Sequence, residues 1–312
     1  MTPTPSVQPR LSLDGFQGYS IVVLRRGGLG NQLFQHAAAL GVSMATGGNV
    51  VYARSDETIR RHAIQLEDFV GALPRASSAD LARFLWPADW LPRHLLRDYR
   101  KMRWSLRIGR PLWRPPQSYM EQVERSFWGR SLLLDGFFQT PDWFAAGLPR
   151  VVMQLMERRP RDAMPREDVI AVHVRAGRDF RQLGWCLPWE YYRTAIERID
   201  PQRTAVVWPI TDERDAEEDI RRRLEAAGWR VEQPDRFTGC KERDDFWNLA
   251  RARCMVISKS TFAWWAAVVG DSMWPPGARQ IICPAYPPED FPLPVQTGWL
   301  SLPVPSSSRM LG

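Results

Sequence analysis

The chain has 312 residues, of which 44% are hydrophobic and 25% are charged, a composition typical of a globular protein. Its 42 Lys and Arg outnumber its 35 Asp and Glu, and the formal charge of +7 favours an anionic partner such as a nucleotide sugar, a nucleic acid or a membrane surface. The longest apolar run, residues 262–269, is far shorter than the roughly 20 residues that span a bilayer. The length exceeds that of one ordinary core and predicts two domains.

Metal and disulfide sites find little support in the sequence. The four cysteines are widely spaced and form no C-x-x-C pair, so neither a zinc site nor a disulfide framework is predicted, which suits a reducing cytosol. No Asp-x-Asp occurs, which argues against the usual metal-dependent sugar-nucleotide site. Residues 1–18 mix Pro, Ser, Thr and Gln without an apolar core, and we predict a disordered tail there instead of a signal peptide or anchor.

A strand, a glycine loop and a helix are predicted in succession near the start of the chain. Residues 21–24 are apolar, and apolar residues recur at helical spacing from Leu33 onward. The three glycines within residues 27–30 allow a tight turn, a close approach to a ligand and free N–H groups aimed at an anion near the helix start. A tight turn with Asn31 as the helix N-cap is the alternative. Incomplete G-x-G-x-x-G and G-K-[ST] patterns leave the dinucleotide and P-loop interpretations weak.

A stretch of unusual composition follows a strand at residues 49–53 and an apolar segment at residues 64–70. From residue 79 to 117, tryptophans alternate with basic residues, and prolines mark the end. This pattern occurs in proteins that bind single-stranded nucleic acid, in segments that lie on an anionic membrane and in solvated helices that cover a core. The sequence leaves the three interpretations open.

The middle of the chain predicts a strand at residues 131–138, a helix at residues 148–156 and an interdomain linker at residues 158–166. The linker is rich in Arg and Pro, as exposed segments between domains often are. The predicted divisions are a disordered tail at 1–18, α/β domains at 19–165 and 166–302, and a tail at 303–312.

Residues 169–180 carry the most informative pattern. The β-branched run at 169–174 predicts a strand that is covered on both faces, and His173, Arg175, Arg178 and Asp179 fall at or just beyond its end. In an open α/β sheet the carboxyl ends of the strands form the ligand crevice, where a guanidinium can clamp a phosphate. We hypothesise an anionic donor site for a nucleoside diphosphate. The alternative is a buried histidine beside a structural Arg–Asp pair.

Strand and helix patterns alternate through the rest of the chain, which is typical of a parallel, doubly wound sheet. The predicted strands lie at residues 205–210, 229–232, 255–258 and 280–283, and the predicted helices lie at residues 188–199, 216–227, 244–254 and 262–269.

Two helix starts in this half carry candidate binding residues. At Ser260 and Thr261, hydroxyls, free N–H groups and the helix dipole converge on one spot that suits phosphate, with ordinary N-capping as the alternative. Asp244 and Asp245 open the preceding helix. They either cap it or bind a guanine edge or a ribose.

Together, and in this order, the motifs resemble the α-1,2-fucosyltransferase family (glycosyltransferase family 11) over nearly the whole chain. The ordered series is more specific than any single motif, because each motif alone has a simple structural explanation. The matching residues are 27–35 (GGLGNQLFQ), 134–139 (LDGFFQ), 173–175 (HVR), 191–192, 195–196, 211–212, 245–249 (DFWNL), 258 and 260–265 (STFAWW).

The resemblance implies an α/β, GT-B-like fold with two Rossmann-like domains facing a cleft. It implies an inverting, metal-independent enzyme that uses no cofactor and moves L-fucose from GDP-β-L-fucose to the 2-hydroxyl of a terminal galactoside. Residues 19–165 would form the acceptor-side domain and residues 166–302 the nucleotide-sugar-binding domain. The alternatives are a transferase with a different GDP-sugar donor, or a dinucleotide-binding or membrane-surface adaptor protein.

The resemblance also assigns residues to the site. Arg175 would bind the β-phosphate, Asn31 would reach across from the first domain, and Asp179 is a candidate base by position. His173 and Asp245 would hold the nucleoside. The predicted donor-binding residues are His173, Gly28, Gly30, Asp245, Ser260, Thr261 and Phe262, with no metal ligand.

The central motif departs from the family pattern His-x-Arg-Arg-Gly-Asp-Tyr. Ala176 stands at the second arginine and Arg178 precedes Asp179, which leaves the donor sugar and the role of Asp179 open. The expected partners are a GDP-sugar and a galactose-terminated oligosaccharide or lipid-linked glycan, and no nucleic acid. We expect a cytoplasmic enzyme, with peripheral contact to the inner face of the membrane as an option.

Overall fold

The computed structural model describes residues 20–54, 66–77, 80, 132–134, 136–285 and 293–305. The predicted tail at 1–18 lies outside these residues. So does the basic, Trp-rich stretch at 79–117, apart from Asp80.

The first half of the chain forms a three-stranded parallel sheet. Its central strand β1 (Ser20–Arg25) pairs with β2 (Asn49–Arg54) on one side and with β3 (Leu132–Leu134) on the other. Helix α1 (Leu29–Thr46) follows β1 and buries most of its length, because its small and apolar residues leave few positions that need water. Strand β3 is shorter than the predicted strand at 131–138, because residues 136–138 lie outside it and Phe138 has a φ of 53°.

The second half forms a six-stranded parallel sheet in the order β6-β5-β4-β7-β8-β9. Because the chain winds outward from β4 in both directions, the switch point of this doubly wound sheet lies between β4 and β7. The strands are β4 (Arg166–Val174), β5 (Val206–Thr211), β6 (Arg230–Val231), β7 (Ala252–Val256), β8 (Gln280–Ala285) and β9 (Leu300–Pro303).

Helices connect and cover the strands. Strand β4 is buried over its last six residues, as a strand covered on both faces should be. None of the helices in the described ranges combines the length and apolar character needed to cross a bilayer. The further helices are α2 (Glu67–Val70), α3 (Pro141–Phe144), α4 (Leu148–Glu157), α5 (Arg178–Gln182), α6 (Trp189–Ile199), α7 (Arg214–Ala226), α8 (Lys241–Arg251) and α9 (Thr261–Asp271).

In the second half, the helix predicted at 244–254 and the strand predicted at 255–258 both begin three residues earlier, and one strand was not predicted. The helix expected at 244–254 begins at Lys241 and ends at Arg251, because the residues from Ala252 onward pair with β4 and enter the sheet. The strand predicted at 280–283 is present as β8, but it is not the last strand of the sheet. Strand β9 adds an edge beyond it, and its alternately exposed residues gave little apolar signal.

The described residues form two hydrophobic clusters, and the larger one joins the two sheets. The ring of Phe34 in α1 lies 5.0 Å from Trp264 and 5.1 Å from Trp265 in α9, measured between ring centroids, and all three side chains are buried. The prediction of an α/β, GT-B-like fold with two Rossmann-like sheets is confirmed. The domain boundaries stay a prediction.

Candidate active site

The switch point of the large sheet is bridged by two buried side chains. His173 lies near the end of β4, and Ser258 follows β7. The His173 ring nitrogen Nδ1 lies 2.8 Å from Ser258 Oγ, and both residues are almost inaccessible to solvent. This hydrogen bond ties together the two strand ends between which doubly wound sheets bind their ligands.

His173 is neutral at physiological pH. Burial lowers its pKa to about 3, the nearby Asp212 carboxylate opposes the shift, and Arg175 and Lys241 add to it. Its ring centroid lies 6.0 Å from that of Phe262, at an interplanar angle of 35°. The imidazole can therefore serve as a fixed hydrogen-bonding and packing surface but not as a cation for a phosphate.

Arg175 supplies a guanidinium at the carboxyl end of β4. Its Nη1 lies 2.5 Å from Oδ2 of Asp212, which directly follows β5. The other Asp212 oxygen, Oδ1, accepts a hydrogen bond of 3.0 Å from the backbone N–H of Ala176. Asp212 thus fixes both the side chain and the neighbouring backbone of Arg175. Its place in the Thr-Asp motif was noted from sequence, but this role was missed.

The residues after Arg175 clarify the departure from the family pattern. Ala176 is 1% exposed and packs in the core beneath the sheet end, where a long cationic side chain would have to displace apolar neighbours. Arg178 is exposed and begins α5. The side chain of Asp179 lies outside what the structure describes, so its role as a base stays a prediction.

Asp245 lies on α8, which Lys241 of the same helix ties to the end of β5. Its carboxylate accepts a hydrogen bond of 2.6 Å from Lys241 Nζ and one of 3.2 Å from Arg236 Nη1, while Lys241 also donates to the carbonyl of Thr211. Burial raises the pKa of Asp245, and the two cations act against that shift. Through Lys241, Asp245 is linked to the strand end that carries Asp212.

The interpretation of the aspartates as helix caps is wrong. Helix α8 begins earlier, after Cys240, so Asp244 and Asp245 lie inside it. Asp244 Oδ1 instead accepts hydrogen bonds from the backbone N–H and the hydroxyl of Thr238, at 2.9 and 2.7 Å. These contacts fasten the loop that precedes the helix.

The start of α9 completes this wall of the site. Ser260 is the N-cap, and its hydroxyl accepts from the backbone N–H of Ala263 at 3.4 Å, so the capping interpretation holds for this residue. Thr261 and Phe262 form the first turn and are half-buried. The positive end of the helix dipole and the first-turn N–H groups therefore face the region that Arg175 and His173 border.

The glycine loop of the first half meets this helix start directly. A Cβ on Gly30 would lie 2.4 Å from the carbonyl carbon of Thr261 and 2.5 Å from the nitrogen of Phe262, so only glycine fits. Gly28 is the N-cap of α1, so the alternative in which Asn31 caps this helix is wrong. Asn31 lies in the first turn, and its Oδ1 accepts a hydrogen bond of 2.9 Å from Gln139 Nε2.

The buried side-chain amides of Gln32 and Gln35 hold this loop in place. Sequence motifs alone gave these two residues no role. Gln32 donates from Nε2 to the carbonyl of Gly27 at 3.0 Å and accepts from the N–H of Leu66 at 3.3 Å. Gln35 accepts from the backbone N–H of Arg26 and donates to its carbonyl. Two glutamines three residues apart on a buried helix could have indicated this role, because buried amides need hydrogen-bonding partners.

Apart from Asp179, whose side chain is not described, the predicted site residues lie on neighbouring elements from both halves of the chain. Residues His173, Arg175 and Ser260 to Phe262 border the switch point, Asp245 joins them through Lys241, and Gly30 brings the loop of Gly28 and Asn31 against α9. Within the described ranges, His, Cys, Asp and Glu form no cluster suited to a metal ion. A guanidinium, hydroxyls and a helix start suit a diphosphate ester.

The comparisons with known proteins add a partial likeness in fold. No family model and no curated protein matches the chain. Among solved structures, the fucosyltransferase NodZ from Bradyrhizobium is 15% identical with a TM-score of 0.43, over 81% of this chain and 93% of that one. POFUT1 in complex with GDP is 13% identical with a TM-score of 0.45, over 82% and 95%.

A third solved structure is the E. coli heptosyltransferase WaaC, crystallised with ADP-2-deoxy-2-fluoro heptose. It is 13% identical with a TM-score of 0.46, over 92% of this chain and 93% of that chain. At these identities and scores, any assignment of activity to this chain has to come from its own residues.

Proposed function

We propose that this protein is an inverting, metal-independent glycosyltransferase that moves L-fucose from GDP-β-L-fucose to the 2-hydroxyl of a terminal galactoside. The observation that carries the proposal is the convergence at the switch point. Arg175 at the end of β4 and the Ser260-capped start of α9 flank the bond between His173 and Ser258. The motif series of the α-1,2-fucosyltransferase family supports the choice of donor and linkage.

The site would act mainly on the leaving group. As the bond to fucose breaks through an oxocarbenium-like transition state, negative charge gathers on the diphosphate, and donors that are already in place stabilise that charge without reorganising. Arg175, held by Asp212, and the hydroxyl and N–H groups at the start of α9 are placed for this role. Asn31 would approach the same point from the first half.

The acceptor hydroxyl must also lose its proton. Asp179 is the candidate base by its position in the chain, and late proton loss with weak participation of a base is the alternative. For the nucleoside, the neutral ring of His173 and the carboxylate of Asp245 offer hydrogen-bonding partners of opposite character.

A different GDP-sugar donor is the second candidate function. The buried Ala176 favours it, because the family has an arginine at this position. The proposed partners are a GDP-sugar and a galactose-terminated oligosaccharide or a lipid-linked glycan. We further propose that the enzyme is cytoplasmic, works without nucleic acid and contacts the inner membrane face peripherally when its acceptor is lipid-linked.

A ligand panel in a thermal-shift experiment tests the proposal. A ligand that binds only the folded state at a hundred times its Kd stabilises it by about 2.7 kcal/mol. We expect GDP to raise Tm, and NAD, UDP and a single-stranded oligonucleotide to leave it unchanged. A rise with NAD or with the oligonucleotide but not with GDP would overturn the assignment.

The product then decides between the two candidate functions. The protein is incubated with GDP-fucose or GDP-mannose and a set of terminal galactosides, and NMR gives the linkage of each product. An α-1,2-fucosyl galactoside supports the first candidate, and transfer from GDP-mannose alone supports the second.

A further inference from the structure

Trp185 is a large aromatic side chain that remains exposed beside the candidate site. It follows α5 in the loop after the central motif, and 43% of its surface is accessible. Other tryptophans of the second half, such as Trp208 and Trp247, are almost fully buried. An exposed indole beside a candidate site is a possible contact surface for a ligand.

The indole of Trp185 is held in one orientation. Lys259 Nζ lies 4.6 Å from the centroid of the ring, and the ring of Phe180 meets the indole edge to face at 5.6 Å. The backbone N–H of Trp185 also donates to the carbonyl of Phe180 at 2.9 Å. Lys259, itself only 6% exposed, lies over the ring of Trp185, and 43% of the Trp185 surface nevertheless stays accessible.

These contacts place Trp185 at the phosphate side of the site. Phe180 also lies under the Arg175 guanidinium, whose carbon is 4.9 Å from the ring centroid. Lys259 stands between Ser258, the partner of His173, and Ser260, the cap of α9. The nucleoside side, at Asp245, is held instead by Lys241 and Arg236. The exposed indole therefore borders the place where the sugar leaves the diphosphate, where an acceptor must also approach.

We propose that Trp185 is the platform on which the acceptor sugar ring stacks, and hence a positioning residue for the transfer. The face of an indole is negatively polarised, and the C–H groups on the apolar face of a pyranose are weakly positive, so the two surfaces are complementary. A rigid ring also adds contact area at a small entropic cost. The inference rests on the proposed function, since it assumes that a sugar acceptor enters beside Arg175.

Binding of a sugar can be measured without catalysis. Saturation-transfer NMR would use the methyl β-glycosides of galactose, glucose and N-acetylglucosamine, each with and without GDP, on the wild type and on Trp185→Ala, Trp185→Gln and Trp185→Phe. Leu183→Ala is the matched control, because Leu183 is an apolar residue in the same loop that is 57% exposed, more than Trp185. We expect the signal to be lost in the Ala and Gln variants and kept in the Phe variant and the control.

The acceptor KM gives a second measure, which a purely structural role of Trp185 would leave unchanged. Loss of one stacking contact should raise the acceptor KM roughly tenfold in Trp185→Ala, with partial recovery in Trp185→Phe. The rise in Tm on adding GDP should remain that of the wild type, because the platform lies outside the donor contacts.

Failure of this inference and failure of the proposed function give different results. An unchanged glycoside signal and acceptor KM in Trp185→Ala, or no signal from any glycoside on the wild type, overturns the platform. Absence of GDP binding in every variant, the wild type included, overturns the proposed function, and the glycoside comparison alone then decides the role of Trp185.

Discussion

At the scale of single residues, the site depends on how Arg175 is held. The ion pair with Asp212 fixes the guanidinium before any ligand arrives, and the same carboxylate anchors the next backbone N–H. A cation that is already oriented costs little reorganisation when charge develops on a leaving group. Arg175 is half-exposed, so it can reach a ligand without leaving Asp212.

Replacement of Arg175 should therefore affect the chemical step. We expect Arg175→Ala to lower kcat by about 10²- to 10³-fold, or about 2.7 to 4 kcal/mol, as the loss of one preorganised donor does. Arg175→Lys keeps the charge but not the planar guanidinium, so its kcat should lie between that of the wild type and that of Arg175→Ala. Steady-state rates with GDP-fucose measure the effect, and near-wild-type turnover in the Ala variant would rule out the assignment.

At the scale of elements, α1 and α9 pack side by side along their first turns, with Gly30 at a close backbone contact. The missing side chain of Gly30 lets the backbone of one helix start touch that of the other, and the buried amides of Gln32 and Gln35 hold the loop behind it. The contact sets the distance between Asn31 and the start of α9, where we propose that the diphosphate binds.

A single methyl group tests that contact. In Gly30→Ala the Cβ would meet backbone atoms at about 2.5 Å, so α1 must move away from α9. We expect a loss of roughly 1 to 3 kcal/mol in the free energy of unfolding, as overpacking causes, together with weaker GDP binding. Urea denaturation and calorimetric titration with GDP measure the two effects.

Gly47→Ala is the matched control for this variant. Gly47 ends the same helix with a φ of 72° and has open space where a Cβ would lie. Gly47→Ala should lower the free energy of unfolding by roughly 1 to 2 kcal/mol, because the residue has a left-handed backbone conformation, and should leave GDP binding unchanged. Equal GDP affinity in both variants would show that the contact between α1 and α9 does not shape the site.

At the scale of the whole molecule, two neutral histidines make the fold sensitive to acid. His36 of α1 pairs through Nδ1 with the Tyr52 hydroxyl of β2 and lies 2.8 Å through Nε2 from Gln154 Oε1 of α4. Burial lowers the pKa of His36 to about 4, and that of His173 to about 3. Both values lie below the pKa of an unfolded histidine, about 6.5.

The sign of the pH effect follows from these values. Between pH 6.5 and 4 the unfolded chain binds protons that the folded His36 excludes, so its stabilising contribution is complete above pH 6.5 and falls as the pH drops. The slope approaches about 1.4 kcal/mol per pH unit for each histidine. Urea unfolding at pH 7.5, 6, 5 and 4.5 should show a shallower decline in His36→Gln than in the wild type. Parallel curves would contradict the buried, neutral state of His36.

Much of this architecture could be predicted from the sequence, because buried parallel strands have a plain apolar signature. The end of β4 was located correctly by that pattern. The C-terminal end of helix α8 was misplaced because no glycine or proline separates it from β7, so residues 252–254 were assigned to the helix although they begin the strand. The half-exposed strand β9 gave too weak a signal.

The contacts within the site were harder to predict, because they join residues that are distant in the chain. Asp212 reaches Arg175 only after β5 pairs with β4, and Gly30 meets Thr261 only when the two sheets pack together. Local patterns carry no information on such pairs. The exposure of Trp185 likewise follows from packing, since nothing in its neighbourhood of the sequence distinguishes it from a buried tryptophan.

The aromatic cluster that joins Phe34 to Trp264 and Trp265 couples the unfolding of the two halves of the chain. A chain cut at residue 165 would leave both indoles without the helix that covers them, so the second half would be short of apolar contacts and prone to associate. Heating or urea should accordingly melt both sheets in one cooperative transition, and the donor site should lose GDP at the temperature at which the first sheet unravels.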